Sequence, residues 1–322
     1  MIRDTFISAA VSLILSAVFC RIGIPELHKL KFGQYIREEG PERHQKKSGT
    51  PTMGGIMIIA AAVLTGLFYA PRYPKMLPVL LFMLAFGLIG FIDDYIKVVK
   101  KHNEGLKPRQ KLLLQIIATA VLAFYIYRNP EIGTGMLIPF TGNLETGKFL
   151  NLGILFIPAL FVVVLGTDNG VNLTDGLDGL CASVTVVVCV FFAAAAVKMQ
   201  IRIAPAAGCL AGALLGFLIY NHYPAKVFMG DTGSLALGGF VSSFALLTQM
   251  PLFIIIVGII YLVEALSVIL QVSYFKATHG KRIFRMAPIH HHFELGGWSE
   301  WKVVIIFTMI TVIASVIAYM GL

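Results

Sequence analysis

Long apolar runs separated by short polar stretches dominate this chain. Ten apolar segments approach spanning length: 5–24, 51–70, 77–97, 111–128, 152–167, 178–198, 201–220, 231–249, 252–276 and 302–321. A helix needs about 20 residues to cross the hydrocarbon core. The fifth segment is short and runs into a stretch rich in Gly, Asn and Asp, read here as a loop. Such unbroken runs exclude the alternating pattern of a membrane β-barrel. In lipid the backbone must be satisfied within each span, as a helix does. The pattern therefore predicts an all-α polytopic membrane protein, a single integral-membrane domain over 1–322 with about ten transmembrane helices.

Composition agrees. Hydrophobic residues make up 57% of the 322 and charged residues 13%, against roughly 45–50% and about 25% in soluble domains. Cys20, Cys181, Cys189 and Cys209 all lie in apolar runs. They read as small core residues and not as a disulfide framework. The first run follows Arg3 but lacks a small-residue cleavage site near Cys20, so it reads as a retained helix.

Charge sets the expected orientation. Most of the 26 lysines and arginines fall in the first, third and ninth loops, including Lys29, Lys46, Lys47, Lys97, Lys107, Lys111, Lys281, Arg282 and Arg285. The positive-inside rule places those loops in the cytoplasm and both termini on the extracytoplasmic side. The net charge of +9 is thus a matter of topology, and nucleic acid is not an expected partner. All eight histidines, and Asp93, Asp94, Asp168, Asp175, Asp178 and Asp231, fall in the odd-numbered loops, on that same side. The chemistry is expected on the cytoplasmic face, where soluble nucleotides and Mg²⁺ are found.

Five stretches carry candidate chemistry. Phe91-Ile92-Asp93-Asp94-Tyr95 ends the third span. Ionisable groups there are costly and mark function, unless they only solvate a helix end. Thr167 to Gly179 contains Asp168, Asn169, Asn172, Asp175 and Asp178 without a Lys or Arg. That set suits a hard cation or the edge of a polar ligand, although Asn172 or Thr174 would also serve as a helix cap. Asn221 to Ser234 includes Phe228 and a Met-Gly-Asp-Thr-Gly-Ser run at a helix start, where Asp231 is a candidate metal ligand or a cap. His290-His291-His292-Phe293-Glu294 follows Lys281, Arg282 and Arg285 and favours phosphate over a transition metal, since consecutive side chains converge poorly on one ion. Lys46-Lys47-Ser48-Gly49-Thr50-Pro51-Thr52-Met53-Gly54-Gly55 lacks the order of a P-loop, but its lysines would attract phosphate. Glu264 is the one acid deep in a span and has no assigned role at this level. Gly208, Gly212 and Gly216 form a ladder that permits close helix approach, within the bundle or at a dimer face.

In order and placement, these stretches resemble the phospho-N-acetylmuramoyl-pentapeptide-transferases, a branch of the polyprenyl-phosphate N-acetylhexosamine-1-phosphate transferases. The resemblance runs from Gly40-Pro41 through Thr-Pro-Thr-Met-Gly-Gly and Asp93-Asp94 to Pro-Ile-His-His-His-Phe-Glu. It implies Mg²⁺ as cofactor, with undecaprenyl phosphate and UDP-N-acetylmuramoyl-pentapeptide as substrates. The products would be lipid I and UMP, in the first membrane step of peptidoglycan synthesis, at the bacterial cytoplasmic (inner) membrane. It further implies Asp231 as the principal metal ligand and Asp93 and Asp94 as catalytic, with Asp94 near the metal. Asn172, Asp175, Asp178, Asn221 and Phe228 would form the nucleoside side. Lys46, Lys47, Lys111, His290, His291 and His292 would contact phosphate and sugar, and a homodimer is carried over. Asp93 would act as base, as an orienting group or as nucleophile in a two-step route. A transferase using UDP-N-acetylglucosamine and a transporter are the competing readings. The second would place ionisable groups near the midplane, where only Glu264 lies.

Overall fold

The computed structural model describes residues 1–29, 49–100 and 105–322. Lys46 and Lys47 lie outside the described residues. The chain runs α1 (Ile2–Lys29), α2 (Gly55–Tyr69), α3 (Leu77–Lys100), α4 (Pro108–Arg128), a short antiparallel hairpin of β1 (Met136–Leu137) and β2 (Phe149–Leu150), then α5 (Phe156–Thr174), α6 (Leu180–Lys198), α7 (Ala204–Asn221), α8 (Gly230–Leu247), α9 (Ile254–Val257), α10 (Ile259–Ala277), α11 (Ile289–Leu295) and α12 (Glu300–Met320). Among the described residues, eight helices are long and apolar enough to cross a membrane, and α2 is a shorter apolar helix. Each predicted segment carries a helix. The ninth is broken into α9 and α10 at Gly258.

α8 is the hub, packed by α2, α3, α5 and α6. Its stretch from Thr232 to Leu246 is buried throughout, as expected for a helix apolar all round. Small residues let its neighbours close on it. A Cβ on Gly238 would overlap the Asp168 backbone, and one on Gly239 would stand 2.7 Å from the Phe86 ring. Helices α1, α4, α10 and α12 form the periphery and turn Phe6, Ile14, Phe124, Ile269 and Val316 outward. For a spanning helix that outward apolar face is the lipid contact.

The glycine ladder is used inside the chain. Ser8, Ser12 and Ser16 recur every fourth residue on the buried face of α1. Gly208, Gly212 and Gly216 of α7 meet that face, and their absent Cβ atoms would strike the carbonyl oxygens of Thr5, Ala9 and Leu13. Without a hydrophobic force between helices in lipid, this backbone approach supplies the packing.

One prediction is corrected. The stretch from Asp168 to Thr174, expected as a polar loop, continues α5 as helix. Asp168 is fully buried and accepts from Gln115 Nε2 at 2.6 Å. Asn169 and Thr174 turn their donors back onto the carbonyls of Leu165 and Gly170. Polar side chains that find partners this way need not end a helix. The His290–His292 stretch is likewise helical, in α11, and His290 is buried.

Both termini lie at one end of the bundle. Asp4 meets Tyr73 and Arg72, just before α3 begins. Phe140 N–H donates to Gly321 O, and Leu137 N–H to Gln249 O just beyond α8. Asp93 and Asp94, late in α3, and Asp231, first turn of α8, stand at the other end.

Candidate active site

Backbone devices bring the acids together. A Cβ on Gly90 would overlap the Asp231 carbonyl, so α3 closes on α8 only with glycine there. Gly230 opens α8 at φ +72°, a conformation that favours glycine, and a Cβ would also crowd Asp94 Oδ2 at 2.5 Å. The Pro51–Gly55 segment pairs with the chain before α8. Phe228 N–H donates to Pro51 O at 2.8 Å, Gly54 N–H to Phe228 O at 2.9 Å and Gly55 N–H to Met229 O at 2.9 Å. The Thr-Pro-Thr-Met-Gly-Gly motif thus holds the start of α8 in place.

The resulting cluster contains Asp93, Asp94 and Asp231, each offering one carboxylate oxygen within 4.8 Å of the others. Asp94 accepts the backbone N–H of Asp231 at 3.2 Å and of Thr232 at 2.8 Å, and the Thr232 hydroxyl at 2.7 Å. It caps α8 from another helix, where the helix dipole favours an anion. Asp93 accepts the Leu106 N–H at 2.7 Å and pairs with Lys97 at 2.5 Å. Asp231 accepts from Asn172 Nδ2 at 2.7 Å through Oδ1, and from Lys97 at 2.8 Å and Lys111 at 3.1 Å through Oδ2. Asn172 also donates to Ser234 Oγ and accepts from Lys111, so it orients rather than caps.

Three carboxylates against two ammonium groups leave one negative charge in a site with partly exposed rims: Asp231 is 19% exposed and Lys97 33%. Clustered carboxylate oxygens are the donor set of a hard divalent cation. The two ammonium groups on Asp231 Oδ2 show that positive charge already gathers at that atom.

The 175–179 turn stands beside the cluster. Packing around the Asp175 carboxyl, then the Asp231, Asp94 and Asp178 charges, holds it well above the usual carboxylate range. Asp178 accepts the Ala225 N–H at 2.9 Å. Asn221 accepts the Gly179 N–H at 3.1 Å and donates to Val227 O at 2.9 Å. Asp178 and Asn221 therefore tie the 175–179 turn to the 222–229 loop, while Asp175 and Phe228 stay half-buried. The histidines divide their roles. His290 packs on Gly176 and pairs with Glu264 at 3.0 Å, His291 pairs with Glu294 at 2.8 Å, and His292 accepts the Arg285 N–H at 3.1 Å.

In the sequence Lys97 stands only among the loop lysines that set orientation, close enough to the acidic pair to offset its charge. The structure puts it at the centre, and the readable signal was its spacing, three and four residues after Asp94 and Asp93. Gln115 was not singled out at all, since its partner Asp168 is 53 residues away.

The chain resembles known proteins over its full length. The glycosyl transferase family 4 model matches residues 76–249, which carry Asp93, Asp94, Asn172 and Asp231. The phospho-N-acetylmuramoyl-pentapeptide-transferase signature 1 matches residues 47–59, which include the Pro51–Gly55 segment paired with the chain before α8. The phospho-N-acetylmuramoyl-pentapeptide-transferase of Clostridium novyi is 52% identical over 326 residues, covering 100% of this chain and 97% of the relative. That of Clostridium beijerinckii is 53% identical, covering 97% and 93%. That of Acetivibrio thermocellus is 48% identical, covering 98% and 93%. With a family model over more than half its length and relatives near half identity over nearly all of it, the chain belongs to the phospho-N-acetylmuramoyl-pentapeptide-transferase family.

Proposed function

We propose that this protein transfers the phospho-N-acetylmuramoyl-pentapeptide group from UDP-N-acetylmuramoyl-pentapeptide to undecaprenyl phosphate, giving lipid I and UMP at the cytoplasmic face of the bacterial inner membrane. The relatives' names support the reaction class. The observation that carries the reading is the cluster of Asp93, Asp94 and Asp231 with Lys97 and Lys111 at one end of a membrane bundle. Phosphoryl transfer asks a protein mainly for charge neutralisation and in-line positioning.

Mg²⁺ fits the donor set, with Asp231 as principal ligand beside Asp93 and Asp94. When bound it would neutralise pyrophosphate charge and stabilise the leaving group. Lys97 and Lys111 supply the remaining positive charge. An oxygen of undecaprenyl phosphate attacks the β-phosphorus of the donor. The bond to the bridging oxygen breaks, and that oxygen leaves on UMP. A phosphate monoester with a second pKa of about 6 is mostly ionised at neutral pH, so no strong base is needed. Asp93, already engaged by the Leu106 N–H and Lys97, orients the lipid phosphate. On the nucleoside side Asp175 and Phe228 face the donor, and Asn172, Asp178 and Asn221 shape the wall behind them. His290, His291, His292, Lys111, Lys46 and Lys47 are assigned to phosphate and sugar by their sequence motifs.

The test uses purified protein in detergent, undecaprenyl phosphate and UDP-N-acetylmuramoyl-pentapeptide, following UMP release with and without Mg²⁺. Release that requires both substrates and Mg²⁺ is expected. Release only with UDP-N-acetylglucosamine would overturn the donor assignment, and none with either donor would overturn the reaction.

A further inference from the structure

A buried acid–imidazole pair stands beside the acidic cluster without belonging to it. Glu264 lies in α10, a candidate membrane span, and is fully buried. Its Oε1 is 3.0 Å from Nδ1 of His290, in α11, which is also fully buried. Their other polar atoms, Glu264 Oε2 and His290 Nε2, are buried without a hydrogen-bond partner. An ionisable side chain within a span is costly and tends to be functional. Two unpartnered buried atoms add to that cost.

The geometry gives the pair a direction. With Nδ1 held by Glu264, Nε2 is the nitrogen left to act, and it is aimed at Gly176: a Cβ there would overlap it. Gly176 follows Asp175 in the turn beside the catalytic acids. The joint beneath is tight, because a Cβ on Gly170 of α5 would stand 2.8 Å from the Tyr261 carbonyl of α10. The His291 ring packs edge-on against His290 at 4.1 Å. The imidazole is thereby fixed between a span and the turn that faces the donor.

We propose that Glu264 is a positioning residue for His290. Its carboxylate accepts the Nδ1 proton and holds Nε2 against Gly176, so that the imidazole supports from behind the Asp175–Gly176 turn that receives the sugar nucleotide. The role of the pair in turnover rests on the transferase reading above. Carboxylates that orient a metal-binding imidazole through its other nitrogen matter by about 10–100-fold, and the same scale is expected here.

Two measurements test this. The first is kcat/KM for the sugar nucleotide in Glu264→Gln and Glu264→Leu, each alone and combined with His290→Asn. Glu264→Gln keeps an acceptor oxygen and should stay within about threefold of the wild type, whereas Glu264→Leu should lose about 10–100-fold with KM for undecaprenyl phosphate unchanged. In the His290→Asn background the Leu substitution should cost nothing further, because a residue acting only through another shows no independent effect. Full additive loss, or Glu264→Leu within twofold of the wild type, would overturn the proposal. The second measurement is the ¹⁵N spectrum of histidine-labelled wild type, with the His290 signals assigned by their absence in His290→Asn. A proton on Nδ1 is expected, and Nδ1 without a proton overturns the pairing. The spectrum needs no turnover and no Glu264 variant. It therefore decides the pair even if Glu264→Leu does not fold, or if the wild type releases no UMP and the transferase reading itself fails.

Discussion

The carboxylate of Asp94, in α3, caps the helix that begins with Asp231. It accepts the backbone N–H of Asp231 itself and both donors of Thr232. One acid thus fixes the helix end that presents the other, which is why two residues 137 apart in sequence can hold one geometry.

Removing that cap should show in stability as well as turnover. Asp94→Ala leaves three donors at the start of α8 unanswered. Loss of a cap costs about 0.5–2 kcal/mol, so its unfolding midpoint in detergent should fall. Asp94→Asn keeps one acceptor oxygen and should recover most of the midpoint while staying at least about 100-fold down in UMP release, given what one electrostatic contact contributes in a dry site. A midpoint for Asp94→Ala equal to the wild type would contradict the capping role.

Lys97 reaches Asp93 at 2.5 Å, Asp231 at 2.8 Å and Asp94 at 3.8 Å. On the proposed reading its ammonium competes with the divalent cation for these oxygens and supplies charge to the transferred phosphate. Lys97→Gln should therefore lower the Mg²⁺ concentration for half-maximal turnover, by about tenfold for one partly screened charge, while kcat falls. A Mg²⁺ titration of UMP release reads both, and a half-maximal Mg²⁺ concentration that is unchanged or raised would contradict this arrangement.

The α1–α7 contact is backbone against backbone. Gly212→Ala places a methyl group into the Ala9 carbonyl, and overpacking of this kind costs about 1–3 kcal/mol. Gly166→Ala in α5 meets open space and should be neutral or stabilising by up to about 1 kcal/mol. Melting temperatures of the two variants in one detergent should fall on opposite sides of the wild type or leave only Gly212→Ala lowered.

Asp175 gives a pH dependence with a definite sign. Its carboxyl is held well above the usual range by burial and by the Asp231, Asp94 and Asp178 charges, so ionising it opposes folding. That penalty is absent below the unfolded carboxyl pKa of about 4 and grows as pH rises through the raised native value. Asp175→Asn removes it. The variant should match the wild type in thermal stability at the acid end and exceed it at neutral pH, while losing activity. A constant difference across the range would contradict the raised carboxyl.

Much of this was legible from residues alone. The helices followed from apolar runs, because lipid imposes length and backbone closure on every span. Asp93, Asp94 and Asp231 stood out because acids at span ends are costly without a use, and the structure brings them within one ion's reach. The rest depended on partners distant in sequence. Asp168 read as a loop residue until Gln115 accounted for it within a helix. Glu264 had no role until the loop after α10 returned His290 to it. Asn221 and Asp178 were expected on the nucleoside side, and their hydrogen bonds to Gly179, Val227 and Ala225 depend on a loop pairing that periodicity does not encode.

The central claim is that Asp231 organises a cation-assisted transfer to a lipid phosphate. Its most direct test is UMP release by Asp231→Asn, measured from undecaprenyl phosphate and UDP-N-acetylmuramoyl-pentapeptide across a Mg²⁺ titration, with lipid binding measured in parallel. The account predicts turnover abolished at every Mg²⁺ concentration in a folded protein that still binds the lipid. Near-normal Mg²⁺-dependent release would contradict it and remove Asp231 from the metal site.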